Sequence, residues 1–549
     1  MSANVDYNEK HEYDEGNEYQ VDKQVEIDRI QENENNEFGE VKRGLKSRHL
    51  QMIAIGGTIG TGIFLSSGGS VAGAGPLGAL ISYTIVGIMV FFIVTSLGEM
   101  AAYLPLPGAF TTFGARFVDP ALGFGLGIGY AFQWTITVTI EVVAAGVILQ
   151  YWWPNMQMWI PALIFIFVLV AITLIGVKAF GELEYWFSMI KVLTCIIFII
   201  VGILVDAGAV GGDTIGGRNW HIAGAPVAGD TLRDKVVNVF STCVWAFFSF
   251  GGTELVGVTA GESSNPRKAV PKAIKHTFWR IMLFYILSIM VIGLVIPYTD
   301  ERLFAATSGS LNEAVPVAPF TLVFQLGNIR YADHIVNAVL LTAVLSAGQS
   351  SFYASTRTLM AMGREGKMPA IFGRVNSRGV PLVALLVVTL FACIGFVANV
   401  VGSGVVFEWL VNLTGMSALL TWMSIAIIHL RFRAAFKAQN RNLADLPYVA
   451  PFFPYSCYIA ILLCLIIFVM QAYQVATADP FSVVNVFATF IGAPVFFLSI
   501  IGWKLYHKTR FVPLLEVDLD TGRPSLIVSQ NTIEKPKNPW YKRILNIVA

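Results

Sequence analysis

The sequence predicts an all-α membrane protein of twelve transmembrane helices, built as a 5+5 inverted repeat with broken helices 1 and 6 and followed by two further helices. Composition gives the class, because 55% of the 549 residues are hydrophobic and only 13% are charged, against roughly 25% charged in soluble domains. A window of about 19 residues finds twelve apolar segments. Glycine-rich sequences interrupt the first and the sixth of these segments.

The segments, called spans 1 to 12 below, give the organisation of the chain. They lie at 50–71, 78–103, 121–150, 158–177, 184–206, 235–260, 277–299, 334–360, 380–400, 405–430, 451–475 and 482–506. Basic residues test this count, because cytoplasmic loops carry an excess of lysine and arginine. Such residues precede span 1 and follow spans 6, 8, 10 and 12, so both termini are predicted to be cytoplasmic. Examples are Lys42, Arg43, Lys46 and Arg48 before span 1, Arg267 and Lys268 after span 6, Arg364 and Lys367 after span 8, Arg431 and Arg433 after span 10, and Lys504 and Lys508 after span 12.

Three regions follow from this pattern. Residues 1–41 are polar, rich in acidic residues and asparagine, and are predicted to be a disordered cytoplasmic tail. Residues 42–510 form the twelve-helix membrane domain, with repeat one at about 50–206, repeat two at about 235–430 and spans 11 and 12 at about 451–506. Residues 511–549 form a cytoplasmic C-terminal tail.

The interruption in span 1 is the sequence Gly56-Gly57-Thr58-Ile59-Gly60-Thr61-Gly62-Ile63-Phe64. Glycine is about 1 kcal/mol worse than alanine inside a helix, and unpaired backbone groups cost several kcal/mol in hydrocarbon. One interpretation is a broken helix whose N–H groups, at the positive end of a half-helix, hold the carboxylate of a small solute. The alternative is a helix–helix contact, because these glycines and threonines have small-xxx-small spacing.

A second interruption, Phe248-Ser249-Phe250-Gly251-Gly252-Thr253-Glu254, lies in span 6. If spans 1–5 and 6–10 are repeats, an odd number of spans places them in opposite orientation and makes spans 1 and 6 equivalent. Interruptions in equivalent spans point to a midplane site of a transporter. N–H donors of one break and carbonyl acceptors of the other suit a zwitterion with a carboxylate and an ammonium on one carbon.

These motifs, in this order, resemble those of the fungal amino-acid permeases, a branch of the amino acid–polyamine–organocation superfamily, and most nearly its basic amino-acid permeases. The resemblance covers about residues 42–549. It is carried by Arg48-His49 and residues 52–64 in span 1, Ser96-Leu97-Gly98-Glu99-Met100 in span 2, and residues 252–257 and 260–268 around span 6. It implies a proton-coupled importer of L-amino acids in the plasma membrane, with lysine and arginine as possible preferred substrates and with tails regulated by ubiquitin ligases, for which Lys10 and Lys23 are candidate acceptors.

The candidate substrate-binding residues come from the two breaks and from span 3. They are Thr58, Ile59, Gly60, Thr61, Gly62, Glu141, Phe247, Ser249 and Phe250. Glu141 lies in the middle of span 3, either to pair with a substrate cation or as a protonated packing group. The aromatic residues beside the span-6 break, with Trp245, form either a lid or ordinary packing.

Two further ionisable residues are candidates for proton coupling, because charges inside a membrane are costly. The resemblance implies that Lys191 in span 5 takes the place of a bound cation, and the alternative is a side chain that snorkels to the interface. Glu254 follows the span-6 break, either to hold the bend or to couple protons.

Other functional classes find little support. A net charge of +1 gives no footprint for nucleic acid, no GxxxxGK[ST] motif is present, and the five cysteines have no metal-ligand spacing. We therefore predict no enzyme, no cofactor, and a proton gradient as the energy source. A non-transporting amino-acid sensor on the same scaffold, or a carrier of another small amine, are the alternatives.

Overall fold

The computed structural model describes residues 59–106, 108–255, 266–303, 317–478, 480–521 and 523, and throughout these residues the regular structure is helical. Helices occupy all twelve predicted spans. Their bounds are Gly62–Ser66 and Ser67–Tyr103 (spans 1 and 2), Pro120–Gln150 (3), Trp159–Ile175 (4), Val177–Asp206 (5), Leu232–Phe250 (6), Pro266–Arg280, Ile281–Ile286 and Leu287–Val295 (7), Ala332–Arg364 (8), Leu382–Ala392, Cys393–Val397 and Ala398–Val401 (9), Ser403–Ala438 (10), Tyr455–Ala476 (11), and Val483–Phe490 and Gly492–His507 (12). Short helices at Phe110–Phe117 and Pro319–Leu326 lie between spans.

By length and apolar composition alone, eight helices of the described residues are able to cross a membrane, and nine if the bent pair in span 12 counts as one span. Three features explain why nine spans, and not twelve, are counted in this way. Spans 1 and 2 run together as Gly62–Tyr103, the apolar helix Trp159–Ile175 of span 4 is short, and span 6 ends at its break.

Gly75 separates span 1 from span 2. Its backbone has φ 76° and ψ 170°, inside a helix that is otherwise continuous, and Pro76 follows it. A Cβ at this position would lie 2.8 Å from the backbone nitrogen of Ala228. Both the positive φ and the lack of space require glycine here.

Spans 5 and 10 are among those whose helix limits differ from the predicted ones. Span 5 begins at Val177 rather than at 184, because Gly176, with φ 113°, ends span 4 and the next helix starts at once. Span 10 continues to Ala438 rather than ending at 430. Hydropathy misses both extensions because their residues include charges, which lower the mean hydropathy without interrupting the helix.

Spans 3 and 10 form the centre of the molecule, and spans 8, 10 and 12 pack against span 3. Spans 1 and 2 pack against span 6. The peripheral spans expose large apolar side chains, such as Phe167 in span 4 and Leu498 in span 12. Exposed apolar surface on helices of this length is what contact with lipid requires.

The first part of the predicted C-terminal tail packs on the membrane domain. Val517 and Leu519 are buried, and the backbone N–H of Val512 donates to the carbonyl of Val118. Arg441, just after predicted span 10, donates hydrogen bonds to Asp520 from both of its terminal nitrogens, Nη1 and Nη2. These hydrogen bonds from Arg441 hold the pKa of Asp520 below its ordinary value.

Asp119 ties the start of span 3 to the end of span 12. Its Oδ1 accepts the N–H of Ala121 and so caps span 3, and its Oδ2 pairs with Lys504. Burial alone raises the pKa of Asp119, but the bonds from Lys504, Ala121 and Thr509 outweigh burial and lower it. The N-terminal tail, with Lys10 and Lys23, lies outside the described residues.

Candidate functional site

The described parts of spans 1 and 6 end in irregular backbone. Ile59 and Gly60 are not helical, and the helix that follows starts with the N–H groups of Ile63 and Phe64 both donating to the Gly60 carbonyl. Span 6 is helical to Phe250, after which Gly251 has ψ 141° and Gly252 has φ 87°. The first N–H groups of a helix have no intrahelical acceptor, so span 1 points donors into this region.

The two breaks touch at Gly62 and Ser249. A Cβ on Gly62 would lie 2.3 Å from the Cα of Ser249, whereas a Cβ on Gly60 would lie 3.1 Å from the Cβ of Ala347 in span 8. Gly62 therefore permits the close approach of two backbones, which is the packing role considered for these glycines. Gly60 faces a side chain, and its surroundings are less crowded.

A cavity of about 40 Å³ lies where the breaks meet spans 3, 8 and 10. Its lining consists of Gly60, Thr61, Gly62, Gln133, Trp134, Thr137, Glu141, Phe247, Phe248, Ser249, Gly251, Ala347, Ser350, Ser351 and Thr414. Six of the nine candidate binding residues are among them, namely Gly60, Thr61, Gly62, Glu141, Phe247 and Ser249. A cavity of this volume holds only a few waters.

The other three candidates lie elsewhere. Ile59 is fully buried but does not line the cavity. Phe250 stacks on Tyr285, with ring centroids 4.5 Å apart, so the suggestion that it covers the substrate is not supported by its packing. Thr58 lies outside the described residues.

Span 3 contributes more of the site than was predicted. Gln133, Thr137 and Glu141 are spaced four residues apart, which places them on one face of a helix, and all three line the cavity. This polar stripe in an apolar span is a signal that the sequence does contain. The contribution of Trp134 beside it carries no comparable signal.

Glu141 joins span 3 to the break in span 1. Its side chain is buried, and its carboxylate accepts a hydrogen bond from the hydroxyl of Thr61. The carboxylate also faces the cavity. It is therefore placed to meet the cationic group of a ligand whose anionic group lies at the N–H donors of span 1.

Lys191 is completely buried in the middle of span 5, which argues against a snorkelling side chain. Its Nζ lies 3.5 Å from Glu184 Oε1, and the hydroxyl of Ser346 in span 8 donates to Glu184 Oε2. The pair links spans 5 and 8 beside the cavity, although neither member lines it. A buried ion pair of this kind is costly to break on one side only.

Glu254 lies in the turn after the span-6 break and is buried. The indole Nε1 of Trp422 in span 10 lies 3.4 Å from its Oε2. The residue does not line the cavity. This contact ties the bend to span 10, as expected for the bend-holding role.

The polar residues of span 8 divide into two groups. Ser350 and Ser351 line the cavity. Gln349 donates to the carbonyl of Leu169 and accepts from Thr173, both in span 4, so it has the ordinary role of joining helices. Among the described residues no group of three potential metal ligands occurs.

A helix that begins at Gly62 and a helix that ends at Phe250 meet beside a small polar cavity in an all-helical membrane protein, as is typical of a membrane transporter with a midplane site. Comparison with known proteins gives the family: residues 49–516 match the model of the amino acid permease family, and the chain belongs to this family, within the same superfamily that the motifs indicated.

Three relatives are similar along nearly their whole length. The lysine-specific permease LysP of Escherichia coli (strain K12) is 43% identical over 89% of this chain and 98% of its own. The histidine permease HisP of Lactococcus lactis subsp. cremoris (strain MG1363) is 40% identical over 89% and 99%. The general amino-acid permease GAP1 of Saccharomyces cerevisiae (strain ATCC 204508 / S288c) is 40% identical over 91% and 85%.

Proposed function

We propose that this protein is a secondary active, proton-coupled importer of L-amino acids in the plasma membrane, with both termini cytoplasmic and with a preference for basic amino acids. Transport, not catalysis, is its activity, and it needs no cofactor. The observation that carries the proposal is the placement of Glu141 opposite the helix start of span 1 in one cavity. A relative named as a lysine-specific permease supports the basic preference.

The site suits an amino acid because its poles have opposite sign. N–H groups at the start of the span-1 helix attract a carboxylate, and the Glu141 carboxylate attracts an ammonium group. A decarboxylated amine satisfies only Glu141. Transport of an amino acid and rejection of its decarboxylated analogue are therefore expected.

Protons are proposed as the driving ion, with Lys191 as the carrier. Its buried pair with Glu184 lies one helix away from the cavity, so a change of charge there is coupled to the arrangement of spans 5 and 8. One charge that crosses 100 mV releases about 2.3 kcal/mol.

Glu254 is assigned the structural role of holding the bend. Ubiquitin ligases acting on the tails remain the proposed regulatory partners.

The direct test is uptake of radiolabelled lysine, arginine and neutral amino acids by full-length protein in proteoliposomes, with and without an inward proton gradient. We expect accumulation above the external concentration only with the gradient. Accumulation driven by sodium alone contradicts the proposal for protons. Binding without any uptake favours the sensor, and equal uptake of decarboxylated analogues favours an amine carrier.

The coupling role is tested by Lys191→Ala. We expect this variant to lose gradient-driven accumulation while it still exchanges labelled for unlabelled substrate, because the cavity itself is not altered. Glu365→Gln, an exposed change, is the matched control and leaves both activities unchanged. Normal accumulation by Lys191→Ala removes Lys191 from the mechanism.

A further inference from the structure

A second cavity, which we call the outer cavity, lies between spans 1, 6, 10, 11 and 12. It measures about 270 Å³, against about 40 Å³ for the central one. Its lining consists of Gly69, Ala72, Gly73, Ser241, Thr242, Trp245, Glu408, Trp409, Asn412, Gln471, Gln474, Val475, Ala478, Asn485 and Thr489.

The position of the outer cavity follows from the helix directions. Glu408 lies near the start of span 10, Gln474 near the end of span 11 and Asn485 near the start of span 12. In the predicted topology all three ends are extracellular. Gln474 and Asn485 are exposed, whereas Gln471 and Thr489 are buried, so the cavity has an open mouth and a buried floor.

A carboxylate and two indole rings contribute to its wall. Glu408 is only partly exposed, and within the part of the chain that the structure describes no hydrogen bond or ion pair reaches its carboxylate. Trp245 lies against Gly69, where a Cβ would come within 2.5 Å of the indole. Trp409 donates its Nε1 hydrogen to Asn485 Oδ1 over 2.9 Å. Indole faces attract cations, and guanidinium groups stack on them.

The floor adds acceptors that have no donor. Asn412 is 9% exposed and Gln471 3% exposed, and among the described residues neither Asn412 Oδ1 nor Gln471 Oε1 has a hydrogen-bond partner. A buried acceptor without a donor is unfavourable. Asn412 follows Glu408 by four residues, so both side chains lie on one face of span 10. These acceptors and the Glu408 carboxylate suit a ligand that is cationic and carries several N–H donors.

We propose that the outer cavity is a binding site for the guanidinium or ammonium group of a cationic amino acid on its way to the central cavity. The identity of the ligand as substrate rests on the proposed function, whereas the cation site rests on the wall and floor just described. Thr414, which lines the central cavity, follows Glu408 by six residues, or about 9 Å along the helix, and faces about 120° away from it. The outer cavity therefore lies nearer to the predicted extracellular end of span 10 than the central cavity does.

The test uses agmatine, a decarboxylated arginine that keeps the guanidinium but lacks the carboxylate needed by the span-1 donors. Agmatine binding to the full-length protein is measured calorimetrically for the wild type, Glu408→Gln and Glu141→Gln. Glu301→Gln is the matched control, because Glu301 is an exposed carboxylate on the same side of the membrane in the predicted topology. We expect Glu408→Gln to weaken binding by about tenfold or more, which is about 1.4 kcal/mol, to weaken it more than Glu141→Gln does, and Glu301→Gln to leave it unchanged.

A second variant separates site loss from misfolding. Asn412→Leu keeps the approximate volume of the side chain and removes the acceptor, and we expect it to weaken agmatine binding while the thermal unfolding midpoint stays close to that of the wild type. Absence of agmatine binding to the wild type, or binding lost in Glu141→Gln and kept in Glu408→Gln, overturns the outer site. Wild-type protein that binds agmatine through Glu408 but imports no amino acid keeps the outer site and rejects the proposed function.

Discussion

Two buried carboxylates, Glu141 at the central cavity and Glu99 near the cytoplasmic end of span 2, are held in different ways. Glu99 Oε1 lies 2.5 Å from Arg433 Nε, and its Oε2 accepts hydrogen bonds from Arg433 Nη2 at 2.8 Å and from the N–H of Ala450 at 2.7 Å. The Nε2 of His429 lies 3.1 Å from the same carboxylate. Glu141 accepts one hydroxyl, from Thr61, and otherwise faces the cavity.

The difference distinguishes a structural cluster, which we call the clamp and which consists of Glu99, His429, Arg433 and Ala450, from a ligand-binding site. Both oxygens of Glu99 lie close to partners from span 10, and Oε2 also accepts from Ala450 in the segment before span 11, so the cluster joins three parts of the chain through protein groups. Glu141 retains capacity, and its surroundings are a cavity. Burial of a charge inside the membrane does not by itself identify a functional residue. The groups in contact with the buried carboxylate distinguish a structural role from a binding role.

The largest effect is expected from Arg433→Leu. This change leaves the Glu99 carboxylate buried without its main partner, which costs about 3–5 kcal/mol, so the thermal unfolding midpoint in detergent falls sharply. The double variant Glu99→Leu with Arg433→Leu removes both charges and is expected to recover much of the loss. A single variant as stable as the wild type contradicts the clamp.

Glu141→Gln is expected to show the reverse pattern. Because the amide still accepts a hydrogen bond from Thr61 but carries no charge, the unfolding midpoint changes little, while the KM for lysine uptake rises about tenfold, or about 1.4 kcal/mol. The measurement is uptake as a function of lysine concentration. An unchanged KM together with a lowered midpoint makes Glu141 a second clamp.

The two glycines of the break sharpen the boundary between packing and site. Gly62→Ala forces the backbones of spans 1 and 6 apart, and overpacking of this kind costs about 1–3 kcal/mol, so uptake and stability fall together. Gly60→Ala meets only the side chain of Ala347 at 3.1 Å and is expected to retain more of both. The measurements are uptake and the thermal unfolding midpoint of the two variants. A larger loss in Gly60→Ala than in Gly62→Ala contradicts the assignment of Gly62 to helix packing.

The smallest effect concerns the pair of Asp119, just before span 3, and Lys504, in the last turn of span 12. Because the pKa of Asp119 is lowered in the folded protein, the pair stabilises the protein above the ordinary carboxylate pKa of about 4, and this contribution disappears as pH falls through the lowered value. Asp119→Asn keeps the helix cap and loses only the charge. The free energy of unfolding of this variant and of the wild type is measured as a function of pH. We expect the variant to be less stable by at most about 1 kcal/mol near pH 7 and equally stable at pH values below the lowered pKa.

Much of the fold was accessible from sequence because a bilayer imposes simple rules on length and hydropathy. The twelve spans and the breaks in spans 1 and 6 are confirmed. The early start of span 5 was missed because charged residues in its first turns lower the mean hydropathy. At the site, the breaks and Glu141 come from the sequence, whereas the stacking of Phe250 on Tyr285 does not, because Tyr285 belongs to span 7 and only helix packing brings the two rings together.

The sequence by itself determined the family, the number of spans and where helices 1 and 6 are interrupted, because these depend on local composition and motif order. Only the tertiary structure decided that Gly62 packs against Ser249, that Lys191 pairs with Glu184 and that Glu408 borders a second cavity. The reason is physical: the neighbour of Gly62 and the walls of the second cavity belong to other helices, and helix packing brings them together from distant parts of the chain. Lys191 and Glu184 lie in one helix, but their burial depends on the helices packed around span 5.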